Sequence, residues 1–299
     1  MKIKKIIYCL VWGLTGVLYS SCSGPDYYVS KAIDLMDDHA LYAEGPDWEA
    51  AKKEALDTEP QTYEEAQEIV KKALKVAGGK HSFIYKSEDV KTDFTSEWKM
   101  PEVNINEQNV AIIKLPPFSG NDKQGQKYAH TVIDAIPENI AGAIIDLRGN
   151  TGGNMYPMIA AVHQFIDDSE HILRFKSRKR SDKINLDYVL RVVGIERQKQ
   201  LSCSVALITD SLTASSGEAT LICFRGLDKV RSFGSPTAGY ASANAPYDMP
   251  DGSKLVITTS CDVARTGEVF CDEPIAPDSL TKEPMEAAVK WISEYLKNE

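Results

Sequence analysis

Six residues, Thr213-Ala214-Ser215-Ser216-Gly217-Glu218, lie between the apolar run Val205–Thr209 and the apolar segment Ala219–Phe224. A serine placed between a short strand and a helix N-terminus meets free backbone N–H groups and the positive end of the helix dipole, which favour a developing negative charge. Ser215 is therefore a candidate nucleophile. The same residues also satisfy a plain capping box, Ser215-x-x-Glu218, which starts helices of any function. Chemistry requires more than the serine, because a hydroxyl attacks poorly until a base takes its proton and oriented donors hold the resulting oxyanion.

The chain holds five histidines. His39 falls in a helical N-terminal region, His130 and His163 fall within helical patterns, and His171 opens a long insertion, so these four read as surface or packing residues. His81 differs. Gly78-Gly79-Lys80-His81-Ser82 places it in a tight loop, and loops on a rigid frame are where catalytic side chains collect. For the oxyanion, Leu147-Arg148-Gly149-Asn150-Thr151-Gly152-Gly153-Asn154 follows an apolar run and precedes a helical pattern. Glycines there let backbone N–H groups turn into a cleft. Such a turn can also cradle phosphate, but the spacing fits neither of the common nucleotide-binding glycine patterns.

These residues need a scaffold, and the periodicity supplies one. From about 26 to 78 the apolar spacing is helical: Ile33, Met36, Ala40 and Leu41 form one stripe, Asp47 is expected to cap a second helix through Leu56, and Thr62-x-x-Glu65 opens a third that stops at Gly78. Three short helices bury little on their own, so a small bundle packed beside a larger unit is expected. Beyond Gly79 strands and helices alternate: a strand at 82–85, Val110–Leu115, a helix over 123–136, Ala143–Leu147, a helix over 155–166, Val205–Thr209, a helix over 216–225, and Lys229–Phe233. That order predicts an α/β core with parallel strands. A hairpin of Lys254–Thr259 with Asp262–Arg265 and a closing helix over Met285–Leu296 complete the reading. Residues 87–108 carry no clear period. Residues 168–202, with a basic run from His171 to Arg180, interrupt the rhythm as either an inserted cap or a solvated hairpin face.

Asp146-Leu-Arg-Gly-Asn-Thr-Gly-Gly153, Thr213-Ala-Ser-Ser-Gly-Glu218 and Gly234-Ser-Pro-Thr-Ala-Gly239, in that order, resemble the C-terminal processing, or tail-specific, serine peptidases. Gly79-Lys-His-Ser82 and Gly152-Gly-Asn-Met155 extend the likeness to the small, nisin-resistance-type branch of that family, which lacks a PDZ domain. The resemblance covers residues 79 to about 278. It implies an α/β (α+β) fold with a crotonase/ClpP-like peptidase core (79–299), an N-terminal helical bundle (23–78) and a cap inserted near 168–202. It implies attack by Ser215 with His81 as base, oxyanion donors from Gly152, Gly153 and Ser216, and substrate-binding or supporting roles for Asn154, Met155 and Glu218. In larger members the base is a lysine after a Gly-x-x-Thr-x-Gly turn; Tyr240 stands at that position here, which leaves His81. Gly217 stands where the family pattern has alanine. Asp272 and Glu273 lie where some relatives carry a third catalytic acid, whereas the small branch resembles a dyad without one.

Composition bounds the competing functions. The 299 residues are 43% hydrophobic and 26% charged, ordinary for a soluble globular chain, with a formal net charge of −9 that argues against nucleic acid as partner. Lys2, Lys4 and Lys5, an apolar run from Ile6 to Tyr19, and Ser20-Ser21 before Cys22 have the layout of a secretory signal ending in a cysteine. This resembles a bacterial lipoprotein signal, implying a lipidated Cys22 and a membrane-anchored protein outside the cytoplasm. Cys203, Cys223, Cys261 and Cys271 are then either buried thiols or disulfide partners, with Cys261 and Cys271 placed to staple a hairpin. No cofactor and no metal are expected. The leading expectation is a serine endopeptidase acting on peptides or protein tails. A lipoprotein that binds peptide or hydrophobic ligand without turnover is the alternative, and an acyl-CoA-type enzyme on the same superfold conflicts with the export signal.

Overall fold

The structure is a computed structural model that describes residues 24–86, 98–167 and 169–297. Cys22 and the leader lie outside the described residues, as do residues 87–97. Among the described residues no helix is long and apolar enough to cross a membrane.

Three helices come first, α1 (Pro25–His39), α2 (Gly45–Leu56) and α3 (Tyr63–Gly78). The α3 start follows its sequence signal: Thr62 Oγ1 accepts the Glu65 N–H at 3.2 Å. The α2 start does not. Asp47 sits inside the first turn rather than at the cap, because Pro46 occupies the opening turn and the boundary falls at Glu44. Gly78 is still helical, and Gly79, at φ 64°, is the residue that turns the chain out toward His81. Tyr28, Ile33, Met36, Trp48, Val70 and Leu74 bury their helical stripes together with Leu255 and Ile257, so the bundle closes its core against a sheet.

The α/β core has a six-stranded sheet in the order β12-β8-β7-β4-β3-β2. Its strands are β2 (Glu102–Ile105), β3 (Val110–Lys114), β4 (Gly142–Asp146), β7 (Ser204–Thr209), β8 (Val230–Gly234) and β12 (Ser279–Leu280). β3, β4, β7, β8 and β12 are parallel, and β2 adds antiparallel at the edge. β2 arises inside the stretch that has no sequence period; it is held by pairing with β3 rather than by its own pattern. Every residue of β4 and β7 is buried, as expected for strands covered on both faces. One face packs against α4 (Asp122–Ile133), α5 (Met155–Ala161) and α7 (Ser216–Ile222), the other against Ala288 and Ile292 of α8 (Pro284–Leu296).

The second sheet is antiparallel and is built around one 12-residue strand, β10 (Ser253–Ala264). The expected hairpin over 254–265 does not exist: the chain runs straight through, with a register shift between Thr258 and Ser260. β10 pairs with β1 (Phe83–Lys86), β5 (Leu173–Lys176), β9 (Ser242–Asp248) and β11 (Val269–Phe270), and β6 (Ser181–Ile184) adds outside β5. The 168–202 insertion thus contributes β5, β6 and α6 (Leu186–Val193), and β5 is a member of this sheet. The tip of its β5–β6 turn is fastened to the bundle, where Arg178 donates to the carbonyl oxygens of Asp37 and Ala43. Cys261 and Cys271 form a disulfide across the β10–β11 hairpin, while Cys223 is a buried thiol.

Candidate active site

β4 and β7 are neighbours in parallel register, with Asp146 opposite Ile208. Their C-terminal ends therefore release the glycine-rich loop and the Ser215 loop side by side, the usual place for a site in a parallel sheet. Asn150 joins the two loops. Its carbonyl accepts the Ala214 N–H at 2.9 Å, its Nδ2 donates to Leu115 O at 2.9 Å, and its Oδ1 accepts the Gly152 N–H at 3.0 Å. The loops pack so closely that a Cβ on Gly152 would come within 2.9 Å of Ser215 Cβ, and one on Gly217 within 2.9 Å of Asn150 O. Glycine at 217 is thus a packing requirement of this chain as much as a loss of helix propensity.

Ser215 has φ 50° and ψ −113°, one of two non-glycine residues with positive φ among the described residues. Side chains rarely adopt this backbone conformation, and such strain collects at functional sites. Glu218 holds it there. Its Oε2 accepts the N–H groups of Ser215 at 2.9 Å and Tyr240 at 2.7 Å; its Oε1 accepts the Gly239 N–H at 2.9 Å and the Thr237 hydroxyl. The carboxyl is fully buried, and burial raises its pKa while these four donors oppose the rise. With all four acceptor positions taken, Glu218 has no group to offer a substrate; it ties the serine to the 237–240 turn.

The Gly152 N–H is engaged by Asn150, whereas the N–H groups of Gly153 and Ser216 have no acceptor among the described residues. Gly153, at φ 114°, is exposed and lies against Phe118, whose carbonyl accepts the Asn154 N–H at 2.7 Å. The Ser216 hydroxyl donates to Gly153 O at 2.5 Å, which fastens the two loops beside those free donors. Asn154 caps α5 through Oδ1 to the Tyr156 N–H at 3.0 Å; Asn154 is exposed and Met155 half-buried.

His81 reaches this region from the end of the bundle. Its Nδ1 is 2.9 Å from Ser242 Oγ, its carbonyl accepts Asn244 Nδ2 at 2.9 Å, and its ring meets the Tyr240 ring edge-on at 5.1 Å. Burial, and after it the Lys80 ammonium, push its pKa down to about 4, so the imidazole is neutral at neutral pH. Lys80 Nζ lies 4.6 Å from the Tyr240 ring centroid and donates to Ala238 O at 3.2 Å. No hydrogen bond joins Ser215 to His81: the His81 Nδ1 contact is to Ser242 and the Ser215 N–H goes to Glu218.

Neither candidate third acid is bonded to His81. Asp272 sits behind Gly79 beside the Tyr42 ring, where burial and then the Asp272 charge raise the tyrosine pKa, and its Oδ1 has no partner; Glu273 is exposed. Sequence reasoning missed Asn150, Lys80 and Ser242. Asn150 lies inside the quoted glycine-rich motif, so its signal was present; Ser242 had none, because only the pairing of β9 with β10 brings it to His81. The other histidines are elsewhere: His163 is buried with Nδ1 on Ala160 O, His39 stacks on Tyr247, His130 is near Asp134, and His171 lies in the insertion.

The chain belongs to peptidase family S41, whose model matches residues 109–281. It is 33% identical to the nisin-resistance protein of Lactococcus lactis over 98% of this chain and 94% of that one. It is 23% identical to the carboxy-terminal processing protease CtpA of Bacillus subtilis over 63% of this chain, spanning 38% of that longer protein. Among solved structures, a lipoprotein from Streptococcus agalactiae superposes with a TM-score of 0.83 at 28% identity, covering 97% of this chain and all of that one. The mixed α/β, crotonase/ClpP-like fold expected from the motifs is the fold observed.

Proposed function

We propose that the chain is a serine endopeptidase that cuts peptides or protein C-terminal regions outside the cytoplasm, held to the membrane through a lipidated Cys22. Ser215 Oγ attacks the scissile carbonyl while His81 Nε2 takes its proton. The oxyanion is received by the N–H groups of Gly153 and Ser216, Gly152 serving to let the loops approach. The intermediate collapses to an acyl-enzyme as His81 returns the proton to the leaving amine, and water then repeats the sequence on the ester. Asn154 and Met155 line the rim where substrate enters, and Glu218 acts only as support. The observation that carries this reading is Ser215 itself, held at φ 50° and tied through Glu218 to the turn that leads into the strand contacting His81.

A lipoprotein that holds peptide without turnover is the second reading, favoured by the missing Ser215–His81 bond and the absence of an acid on His81. Labelling with a fluorophosphonate, together with digestion of a mixed peptide pool, separates them. The peptidase reading expects covalent label on Ser215 and cleavage products, both absent in Ser215→Ala. Unlabelled, uncleaved but peptide-bound wild-type protein would establish the second.

A further inference from the structure

We infer that Ser242 is the positioning residue of this site, its hydroxyl oxygen accepting the Nδ1–H of His81 and so leaving the lone pair on Nε2, the nitrogen that must face the nucleophile. This rests on the reading of His81 as the base. It replaces the carboxylate usually sought behind a catalytic histidine by a neutral hydroxyl.

The geometry carries the assignment. Ser242 Oγ is 2.9 Å from His81 Nδ1, and Ser242 is only 6% exposed. Two residues along β9, on the same face of the strand, Asn244 Nδ2 holds the His81 carbonyl at 2.9 Å. β9 thus grips His81 at the ring and at the main chain. The strand is itself fixed: the Ser242 N–H donates to Tyr240 O at 2.8 Å, and Ser242 is opposite Cys261, which the disulfide ties to Cys271. The acids nearby are directed elsewhere, since Asp272 faces Gly79 and Tyr42.

Which ring nitrogen carries the proton decides whether a histidine can act as base, and an orienting partner on the other nitrogen is what decides it. An Nδ1–H that donates to Ser242 leaves Nε2 basic. The reverse arrangement, in which the Ser242 hydroxyl donates to Nδ1, puts the proton on Nε2 and disables it. The charged groups around the ring are Lys80 on its own turn and, behind Gly79, Asp272 with the Tyr42 phenol; Tyr240 meets the ring edge-on. None of these touches Nδ1.

The test uses the full chain carrying 15N-imidazole histidine, with the His81 resonances assigned from a His81→Gln variant. At neutral pH the wild type is expected to show the Nδ1–H tautomer at His81, and Ser242→Ala to lose that bias. In peptide cleavage Ser242→Ala is expected to lower kcat by about 10- to 100-fold with KM changed less than about twofold, and Ser242→Thr to restore most of it. Ser242→Asp is expected to move the His81 titration upward, which a merely structural role would not do. An Nε2–H tautomer in the wild type overturns the assignment, as does a Ser242→Ala kcat within about twofold of wild type. Should the wild type neither cleave nor label, the peptidase reading fails on its own, and the wild-type tautomer with its loss in Ser242→Ala and its retention in Ser242→Thr still decides this one.

Discussion

Glu218 Oε2 accepts the main-chain N–H of Ser215 at 2.9 Å and that of Tyr240 at 2.7 Å. One buried carboxyl oxygen therefore fixes both the strained serine and the residue whose ring abuts His81. The link explains how a helix-capping acid also sets the geometry of a site that it does not itself enter.

Glu218→Gln keeps the shape and replaces one acceptor oxygen by a donor NH2 in a shell of four donors. At least one buried N–H or hydroxyl is then left facing another donor, at a cost of about 1–3 kcal/mol. Denaturant unfolding should show that loss, and peptide cleavage should fall with it. A variant as stable and as active as wild type would contradict the support role.

Ser215 separates strain from chemistry. Both Ser215→Ala and Ser215→Gly should abolish cleavage, but only glycine accepts φ 50° without steric cost. Ser215→Gly is expected to be more stable than Ser215→Ala by about 1 kcal/mol, read as the difference in melting free energy of the two inactive variants. Equal stability would mean that the serine carries no backbone strain.

With His81 as the proposed base, its titration is expected to set the acid limit of activity. Its folded pKa is lowered to about 4 by burial and by Lys80, below the ordinary value near 6.5 in an unfolded chain. The unfolded state therefore binds a proton first as pH falls, so the stability that neutral His81 contributes is complete above about 6.5 and is lost progressively down toward 4. The acidic limb of kcat/KM should fall near pH 4 to 5 rather than near 6.5. Lys80→Met removes the like charge and should move that limb upward, which a pH–rate profile of the two proteins would show.

Gly217 reverses a simple helix-propensity expectation. Alanine is the better helix former by about 1 kcal/mol. A Cβ here, however, would lie 2.9 Å from the Asn150 carbonyl oxygen, which is backbone and already accepts the Ala214 N–H. Overpacking of this kind costs about 1–3 kcal/mol. Gly217→Ala should therefore lower the melting temperature, and a rise would show that the Asn150 loop gives way freely.

The sequence made the parallel core legible because strands buried on both faces read as continuous apolar runs, as in Ala143–Leu147 and Val205–Thr209. Helix boundaries were legible where a side chain does the capping, at Thr62 and Ser215, and less so at α2, where Pro46 sets the boundary. The second sheet was not. β9 is Ser-Ala-Asn-Ala-Pro-Tyr-Asp and has no apolar alternation, and β10 reads as two strands because Thr258, Ser260 and Asp262 look like surface residues although all three are buried.

What the sequence determined by itself was the order of motifs along the chain, and with it the serine, the loop histidine and the glycine-rich turn. Local rules were enough there, because each motif positions its own backbone. Which groups meet was decided only by the tertiary structure: Asn150 taking the Gly152 N–H, Glu218 spending all its acceptors inside the fold, and Ser242 rather than Asp272 standing at His81. Those contacts depend on the register of β9 against β10 and of β4 against β7. The pairings of β1 with β10, which brings His81 to β9, and of β4 with β7 join segments distant in sequence, so no local pattern encodes them.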